Sequence, residues 1–160
     1  MKVSTRVHYG LRAMTELARS YREDRLLSIT EIARAEGLPL AYLEQLVGEL
    51  RRAGLVEGTR GVRGGYRLAR EPRAITVGEV YRVLEGEVAP VDCTAEAYLS
   101  GSCAREPVCL SRGIWGRVQA AILGVLDSTT LDDLLITEAL QHHLIPIESV
   151  STTKGEFAHV

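Results

Sequence analysis

The feature that most constrains the fold of this 160-residue chain is a pair of short helices joined by a tight turn. Ser28 and Glu31 have the spacing of a capping box, which predicts the start of one helix, and Gly37 marks its end. Pro39 suits the first turn of the next helix, which runs through AYLEQLVGELRRA and stops at Gly54. Two helices at this spacing predict a helix–turn–helix unit.

A glycine-rich hairpin is predicted directly after these helices. Residues 55–57 and 66–69 have the composition of short strands, and the segment GTRGVRGG between them carries four glycines and two arginines. An earlier helix, from about Ser4 or Thr5 to Tyr21, has apolar residues at helical spacing. A helix–turn–helix followed by a hairpin predicts a winged helix over residues 1–85, in a mainly α fold with a small β-hairpin wing.

The second half predicts a loop and a long helix. Thr76 and Glu79 form a second capping box and open the last helix of the first domain. Residues 86–111 are rich in Gly, Ser and Pro and predict a loop. Residues 112–140 predict a long helix, whose wide apolar face we expect a partner to cover, and a final short helix capped by Thr130. Residues 141–160 show no periodic pattern, and we expect a flexible tail there.

Charge is distributed unevenly along the chain. Residues 1–73 carry 14 Arg or Lys and 9 Asp or Glu, a net charge of +5, whereas residues 74–160 carry 5 and 12, a net charge of −7. A basic first half is typical of a nucleic-acid-binding surface. No stretch reaches the roughly eighteen apolar residues of a membrane span, and the start has no apolar signal segment, so we expect a cytoplasmic protein without membrane contact.

The predicted recognition helix can present its first turns to the major groove of DNA. Gln45 can pair with adenine, Glu44 can accept a hydrogen bond from cytosine, and arginines on the helix and the wing suit phosphates or the minor groove. The alternative interpretation is a set of solvated surface residues. The predicted DNA-binding residues are Leu40, Tyr42, Glu44, Gln45, Arg51, Arg52, Arg60 and Arg63.

Three cysteines, Cys93, Cys103 and Cys109, lie within seventeen residues of the loop, and the chain has no others. Thiolates are the ligands that iron–sulfur clusters and zinc prefer, and three thiolates are one ligand short of a closed site. The loop therefore predicts an iron–sulfur cluster (2Fe-2S or 4Fe-4S), or else a zinc site or thiol switch. The loop shows no strand–turn–helix elbow for a nucleophile, so a cysteine enzyme is disfavoured.

The run YLEQLVGELRRAGLVEGTRGVRGGYRLAR resembles the signature of the Rrf-type winged-helix regulators, the family of IscR and NsrR. STRVHYGLRAMTELA and ITVGEVYRVLEG resemble it too, so the likeness covers about residues 1–135. It implies a homodimeric transcription factor on a palindromic double-stranded DNA operator, with the long helix as the dimer interface. It also implies a DNA contact role for Tyr42, Glu44, Gln45, Arg51 and Arg60, whereas Leu40 departs from the Ser or Thr of many relatives.

The resemblance also implies that the three cysteines hold an iron–sulfur cluster, with a fourth ligand that differs among members. IscR has a histidine three residues after the third cysteine, where this chain has Arg112. NsrR-like members use a carboxylate of helix 1 in the opposite subunit. His8 occupies that position here, with Arg12 one turn later, and the loop carboxylates of Asp92, Glu96 and Glu106 are the alternatives. The signal stays open among nitric oxide, oxygen, redox potential and cluster supply.

Overall fold

The computed structural model describes residues 3–61 and 64–144, with side chains as far as residue 137. Six α-helices and one antiparallel two-stranded sheet make up this part of the chain. The elements are α1 (Thr5–Arg22), α2 (Ile29–Glu36), α3 (Leu40–Arg52), β1 (Val56–Thr59), β2 (Gly65–Leu68), α4 (Val77–Glu85), α5 (Arg112–Ser128) and α6 (Leu131–Leu144).

The local signals of the sequence set the helix ends. The Ser28 hydroxyl accepts a hydrogen bond from the Glu31 amide at 3.2 Å, and the Glu31 carboxylate accepts one from the Ser28 amide at 2.7 Å. Thr76 and Glu79 repeat this exchange at the start of α4. Gly37 ends α2 in the left-handed region at φ 61°, which favours glycine. The predicted capping boxes are therefore confirmed, whereas Pro39 is the residue before α3 and not part of its first turn.

The hydrophobic core lies around α1, which packs against α2, α3, α4, α6 and β2. Met14 and Leu17 in α1, together with Leu43 and Leu46 in α3, are completely buried. At position 10, α1 lies so close to α4 that a side chain would collide with Leu84. Glycine at this position therefore allows the two helices to pack. The recognition helix of the predicted helix–turn–helix is thus held by its apolar side, and its polar side is left exposed.

The wing is a short hairpin in which Val56 pairs with Leu68 and Thr59 pairs with Gly65. Leu27 adds a bridge to the outer edge of β2, since its amide donates to the Tyr66 carbonyl at 3.0 Å and its carbonyl accepts from the Tyr66 amide at 2.7 Å. A Cβ on Gly65 would lie 2.8 Å from the Leu27 carbonyl oxygen, so this bridge requires glycine. The predicted winged helix is confirmed.

The last two helices follow in the predicted order, and the final helix extends beyond the predicted end at residue 140 to Leu144. The α5 helix has no buried residue, although it follows the predicted apolar pattern. Thr130 begins α6 by accepting from the Asp133 amide, and α6 continues to Leu144, so the predicted flexible tail begins within a helix. Residues 145–160 of that predicted tail lie outside the described residues. No helix in the described ranges is both long enough and apolar enough to cross a membrane.

Candidate functional site

The exposed side of α3 carries the side chains expected at a DNA groove. Leu43 and Leu46 point into the core, whereas Glu44 and Gln45 between them are exposed. Leu40 begins the helix with 42% of its surface exposed. This alternation follows the helical period and leaves two hydrogen-bonding side chains facing outward near the helix start.

Tyr42 is fixed by packing and is only partly exposed. Its ring meets the Tyr9 ring edge to face, with 6.1 Å between centroids, and the Arg12 guanidinium lies 5.7 Å from the Tyr9 centroid. Aromatic pairs of this geometry add to the stability gained from burial alone. The first turn of the recognition helix is therefore packed against α1 through Tyr9. The sequence alone carries no signal for this role of Tyr9.

A cleft between the end of α3 and the wing brings two of the predicted arginines together. Arg51 and Arg60 line it with Gly58 and Tyr66, and both arginines are exposed. A guanidinium on a thin glycine-rich turn can approach a phosphate or enter the minor groove. Arg63, also predicted to contact DNA, lies outside the described residues.

Arg6 ties the DNA-binding helices together. Its Nη2 donates to the Glu49 carboxylate of α3 at 2.6 Å, and its Nε donates to the Leu84 carbonyl of α4 at 3.0 Å. One side chain of α1 therefore holds both the back of the recognition helix and the end of the helix that leads into the cysteine loop. Sequence periodicity gives no signal for such a contact, because its partners are 43 and 78 residues away.

The cysteine loop folds into two short 3-10 turns, Asp92–Thr94 and Glu106–Val108. Cys93 and Cys109 are partly exposed, Cys103 is exposed, and none of the three forms a disulfide. Three free thiols are suitable donors for an iron–sulfur cluster or for zinc. Among the described residues, no three His, Cys, Asp or Glu side chains are arranged to hold a metal.

Cys109 has the environment of a reactive thiol. A hydrogen bond with the Ser111 hydroxyl, 3.4 Å from its sulfur, lowers the pKa of the Cys109 thiol, and the backbone N–H of Arg112 adds to this effect. A lowered pKa increases the thiolate fraction, and the thiolate is the form that binds metals and reacts with oxidants. Cys109 is therefore suited to either of the predicted roles of the loop.

Glu106 is unlike the other loop carboxylates because its oxygens are already occupied. It accepts hydrogen bonds from the Tyr98 hydroxyl at 2.9 Å, the Ser100 hydroxyl at 3.1 Å and the Gly101 amide at 2.6 Å, and it pairs with Arg112. The Gly101 hydrogen bond, followed by that of Tyr98, lowers the pKa of Glu106 to about 2. Asp92 and Glu96 are exposed, so they remain the more available loop carboxylates.

His8 lies exposed on α1, next to Tyr9, with 5.7 Å between the two ring centroids. Arg12, one turn later, donates from Nε to the Glu36 carboxylate at 2.7 Å and also bonds the Glu36 carbonyl. This arginine, expected near a cluster, therefore caps the end of α2 within its own chain. Because His8 is exposed, its imidazole is accessible to a second subunit, as a ligand contributed across a dimer must be.

Comparison with known proteins identifies the family. Residues 3–137 match the family model described as Rrf2, iron-dependent transcriptional regulator. The chain belongs to the Rrf2 family. The regulator CymR of Bacillus subtilis is 46% identical over 134 residues, which cover 84% of this chain and 89% of CymR. These matches confirm the predicted family and fold, and they show that this Rrf2-family chain is a DNA-binding transcriptional regulator and not an enzyme.

Solved structures give the same result. The structure titled as CymR, the global cysteine regulator of B. subtilis, has a TM-score of 0.71 at 43% identity, with 86% of this chain and 98% of that chain covered. The structure titled T. potens IscR has a TM-score of 0.70 at 41% identity, with 91% and 93% covered. Oxidized CymR of Staphylococcus aureus has a TM-score of 0.62 at 36% identity, with 84% and 95% covered.

Proposed function

We propose that this Rrf2-family regulator is a cytoplasmic homodimer whose operator binding is controlled by an iron–sulfur cluster held by Cys93, Cys103 and Cys109. The observation that carries the proposal is the set of three free thiols on a single loop between α4 and α5. The cluster would supply chemistry sensitive to redox change or nitric oxide, and the loop would pass its state to the helices on either side. Similarity to T. potens IscR supports this assignment.

The proposed DNA surface joins the exposed face of α3 to the wing. Glu44 and Gln45 read base edges in the major groove, while Arg51, Arg60 and Arg63 contact the backbone or the minor groove. Tyr42 contacts DNA from a position fixed by Tyr9. The support is the exposure of Glu44, Gln45, Arg51 and Arg60, together with the net positive charge of this half of the chain.

The second subunit is proposed to pack on α5. Residues 114, 118, 121 and 125 share one face of this helix by their spacing, and Ile114 and Val125 are 50% and 65% exposed. An apolar helix face of this kind is typical of a protein–protein interface. A dimer built on α5 would place two recognition helices for the two halves of a palindromic operator.

His8 of the partner subunit is proposed as the fourth ligand. His8 is exposed, and neutral imidazole is a good iron ligand. A mixed dimer tests the geometry, with one subunit lacking all three cysteines and the other lacking His8. Ligation across the dimer leaves one complete site, because the intact loop faces the intact histidine. Ligation of each loop by His8 of its own chain leaves none, so the absence of any wild-type-like cluster would reject the cross-subunit assignment in favour of the same-chain histidine. A His8→Ala homodimer that keeps a wild-type-like cluster would instead point to Asp92 or Glu96.

The test of the cluster itself is anaerobic purification followed by a visible spectrum and iron and sulfide assays. We expect a coloured protein, and we expect the colour to disappear when Cys93, Cys103 or Cys109 is changed to Ala while the fold is retained. Ser102→Ala, in the same loop, is the control and should keep the colour. Full iron and sulfide in one of the cysteine variants would remove that cysteine from the ligand set.

A second candidate function is a thiol switch or a zinc site in the same loop. It is favoured by the 46% identity to CymR, by the existence of an oxidized S. aureus CymR structure, and by the lowered pKa of Cys109. Colour distinguishes the candidates, because zinc and disulfides do not absorb visible light as clusters do. A colourless protein with one equivalent of zinc, or with a reversible disulfide, would replace the cluster assignment.

A further inference from the structure

The cysteine loop contacts Arg112, the first residue of α5, through two of its side chains. Its guanidinium pairs with the Glu106 carboxylate and lies 5.4 Å from the centroid of the Tyr98 ring. Glu106 in turn binds Tyr98, so the three side chains form a closed triangle. The side chain of Glu106 is only 14% exposed, although the surrounding loop is mostly open to solvent.

Two of the three cysteines meet this triangle through the backbone of Glu106. The Glu106 amide donates to the Cys103 carbonyl at 3.0 Å, and the Glu106 carbonyl accepts from the Cys109 amide at 3.4 Å. The Cys109 sulfur also lies 3.4 Å from the hydroxyl of Ser111, the residue before Arg112. The ion pair between Glu106 and Arg112 therefore holds the segment from Cys103 to Cys109 against the start of α5.

A second contact with α5 holds the Cys93 end of the loop. The Gln119 side-chain amide donates to the Val88 carbonyl at 2.7 Å and to the Thr94 carbonyl at 2.9 Å. Gln119 and Arg112 are seven residues apart and so lie on the same face of α5. Both residues point toward the loop, and Ile114 and Val125 lie on the opposite side of the helix.

We infer that Arg112, locked by Glu106 and Tyr98, is a positioning residue that holds the segment from Cys103 to Cys109 against the start of α5 before any metal binds, with Gln119 as a second anchor that holds the Cys93 end. The inference rests on the proposed cluster function for its purpose, but the arrangement belongs to the metal-free chain. Arg112, which cannot be a ligand, then contributes to the site by holding the loop, and its charge is fixed at Glu106, midway in the sequence between Cys103 and Cys109.

The first test uses the metal-free protein and measures hydrogen exchange. The Gly101 amide donates directly to Glu106, so its exchange reports on the triangle. We expect Glu106→Gln and Arg112→Gln to raise exchange in the segment around Gly101 by about tenfold or more, because each leaves a charged partner without its hydrogen bond. Arg112→Lys should restore part of the protection, and Glu96→Gln, an exposed carboxylate of the same loop, should leave it unchanged.

Two further variants separate the contacts. Tyr98→Phe keeps the ring under Arg112 and removes one donor, so it should raise exchange around Gly101 by less than Glu106→Gln does. Gln119→Met keeps the side-chain length but removes both donors, and it should raise exchange around Cys93 without changing the Gly101 segment. Exchange in Glu106→Gln and Arg112→Gln equal to that of Glu96→Gln would overturn the inference.

The second test uses the reconstituted protein and measures reduction potential. Arg112→Gln removes a positive charge near the thiolates and should lower the potential, whereas Glu106→Gln removes a negative charge and should raise it. A purely structural effect would shift both variants in the same direction, and that result would overturn the positional role of the charge. A wild-type protein that takes up no cluster would reject the proposed function, while the exchange experiment would still decide the inference.

Discussion

At the residue scale, Arg60 is the side chain on which the wing's contribution to DNA binding depends. It is exposed and shares a cleft with Arg51 at the end of the recognition helix. Arg60→Ala should weaken operator binding by about 1–3 kcal/mol, since an arginine that reaches a base edge or a narrow groove contributes on this order. Fluorescence anisotropy with an operator duplex, over a series of salt concentrations, measures the loss.

Arg67→Ala is the matched control for this change. It removes the same charge from the same hairpin, but Arg67 pairs with Glu57 across the two strands at 3.2 Å. We expect little change in operator affinity for this variant. Equal losses in both variants would indicate that only the net charge of the hairpin matters, and an unchanged Arg60→Ala would remove the wing from the DNA contact.

Two residues of the loop show how far a single side chain can be understood from sequence. The sequence identified Arg112 as unable to ligate and Glu106 as a possible ligand, because only residue type and order were available. The structure pairs them with each other, across six positions that include a 3-10 turn. No periodic pattern predicts that turn, so the contact could not be read from the sequence.

At the element scale, the capping box of α2 fixes the start of the helix–turn–helix. The Ser28 hydroxyl accepts from the Glu31 amide, and replacing such a cap with alanine typically costs about 1 kcal/mol. Ser28→Ala should lower the free energy of unfolding by this amount. Ser102→Ala, in the exposed loop, should leave it unchanged, and urea denaturation followed by circular dichroism compares the two. No difference between them would mean that the cap does not stabilise the domain.

The same box predicts a dependence on pH. Hydrogen bonds from the Ser28 backbone and then its hydroxyl lower the pKa of Glu31 below its ordinary 4.5. The ionised carboxylate therefore contributes stability that is complete above pH 4.5 and is lost as the pH falls through the lower folded-state pKa. Glu31→Gln should be less stable than the wild type at pH 7 and should approach it as the pH falls through the folded-state pKa of Glu31. A stability difference between the two proteins that stays constant with pH would contradict a contribution from the ionised Glu31 carboxylate.

The elements predicted from sequence are those with local signals. Capping boxes at Ser28 and Thr76 and the glycine at 37 gave helix ends that the structure confirms to within one or two residues. The bridge between Leu27 and Tyr66 and the Gln119 contacts had no such signal, since they join residues 25 to 39 positions apart. Tertiary contacts of this kind depend on how the helices pack, which composition and periodicity do not specify.

At the scale of the whole molecule, binding to a palindromic operator requires two chains. Val125→Asp places a charge at the C-terminal end of the exposed face of α5 and should shift the protein toward monomer, because burying an unpaired carboxylate is unfavourable. Val108→Asp makes the same change at a loop residue of equal exposure, 65% in both cases, and should leave the association unchanged. Sedimentation velocity measures the result, and a dimer that survives Val125→Asp would place the interface elsewhere.

A connected series of contacts joins the cysteine loop to the DNA-binding surface. Arg82 of α4 binds Asp127 of α5 at 2.6 Å through both carboxylate oxygens, and Arg6 of α1 reaches α3 and α4. A change in the loop at the start of α5 can therefore shift α4 and α1 relative to α3. We propose this series of contacts as the route by which a cluster would alter the spacing of two recognition helices.

If the cluster controls DNA binding, operator affinity must differ before and after cluster removal. The measurement compares one anaerobic preparation in the two states at fixed salt, with a variant in which Cys93, Cys103 and Cys109 are all serine as the control. We expect removal of the cluster to change the operator affinity of the wild type by at least about tenfold, on the order of 1.4 kcal/mol, and to leave the control unchanged. Equal wild-type affinity in the two states, or an equal change in the control, would contradict control by the cluster.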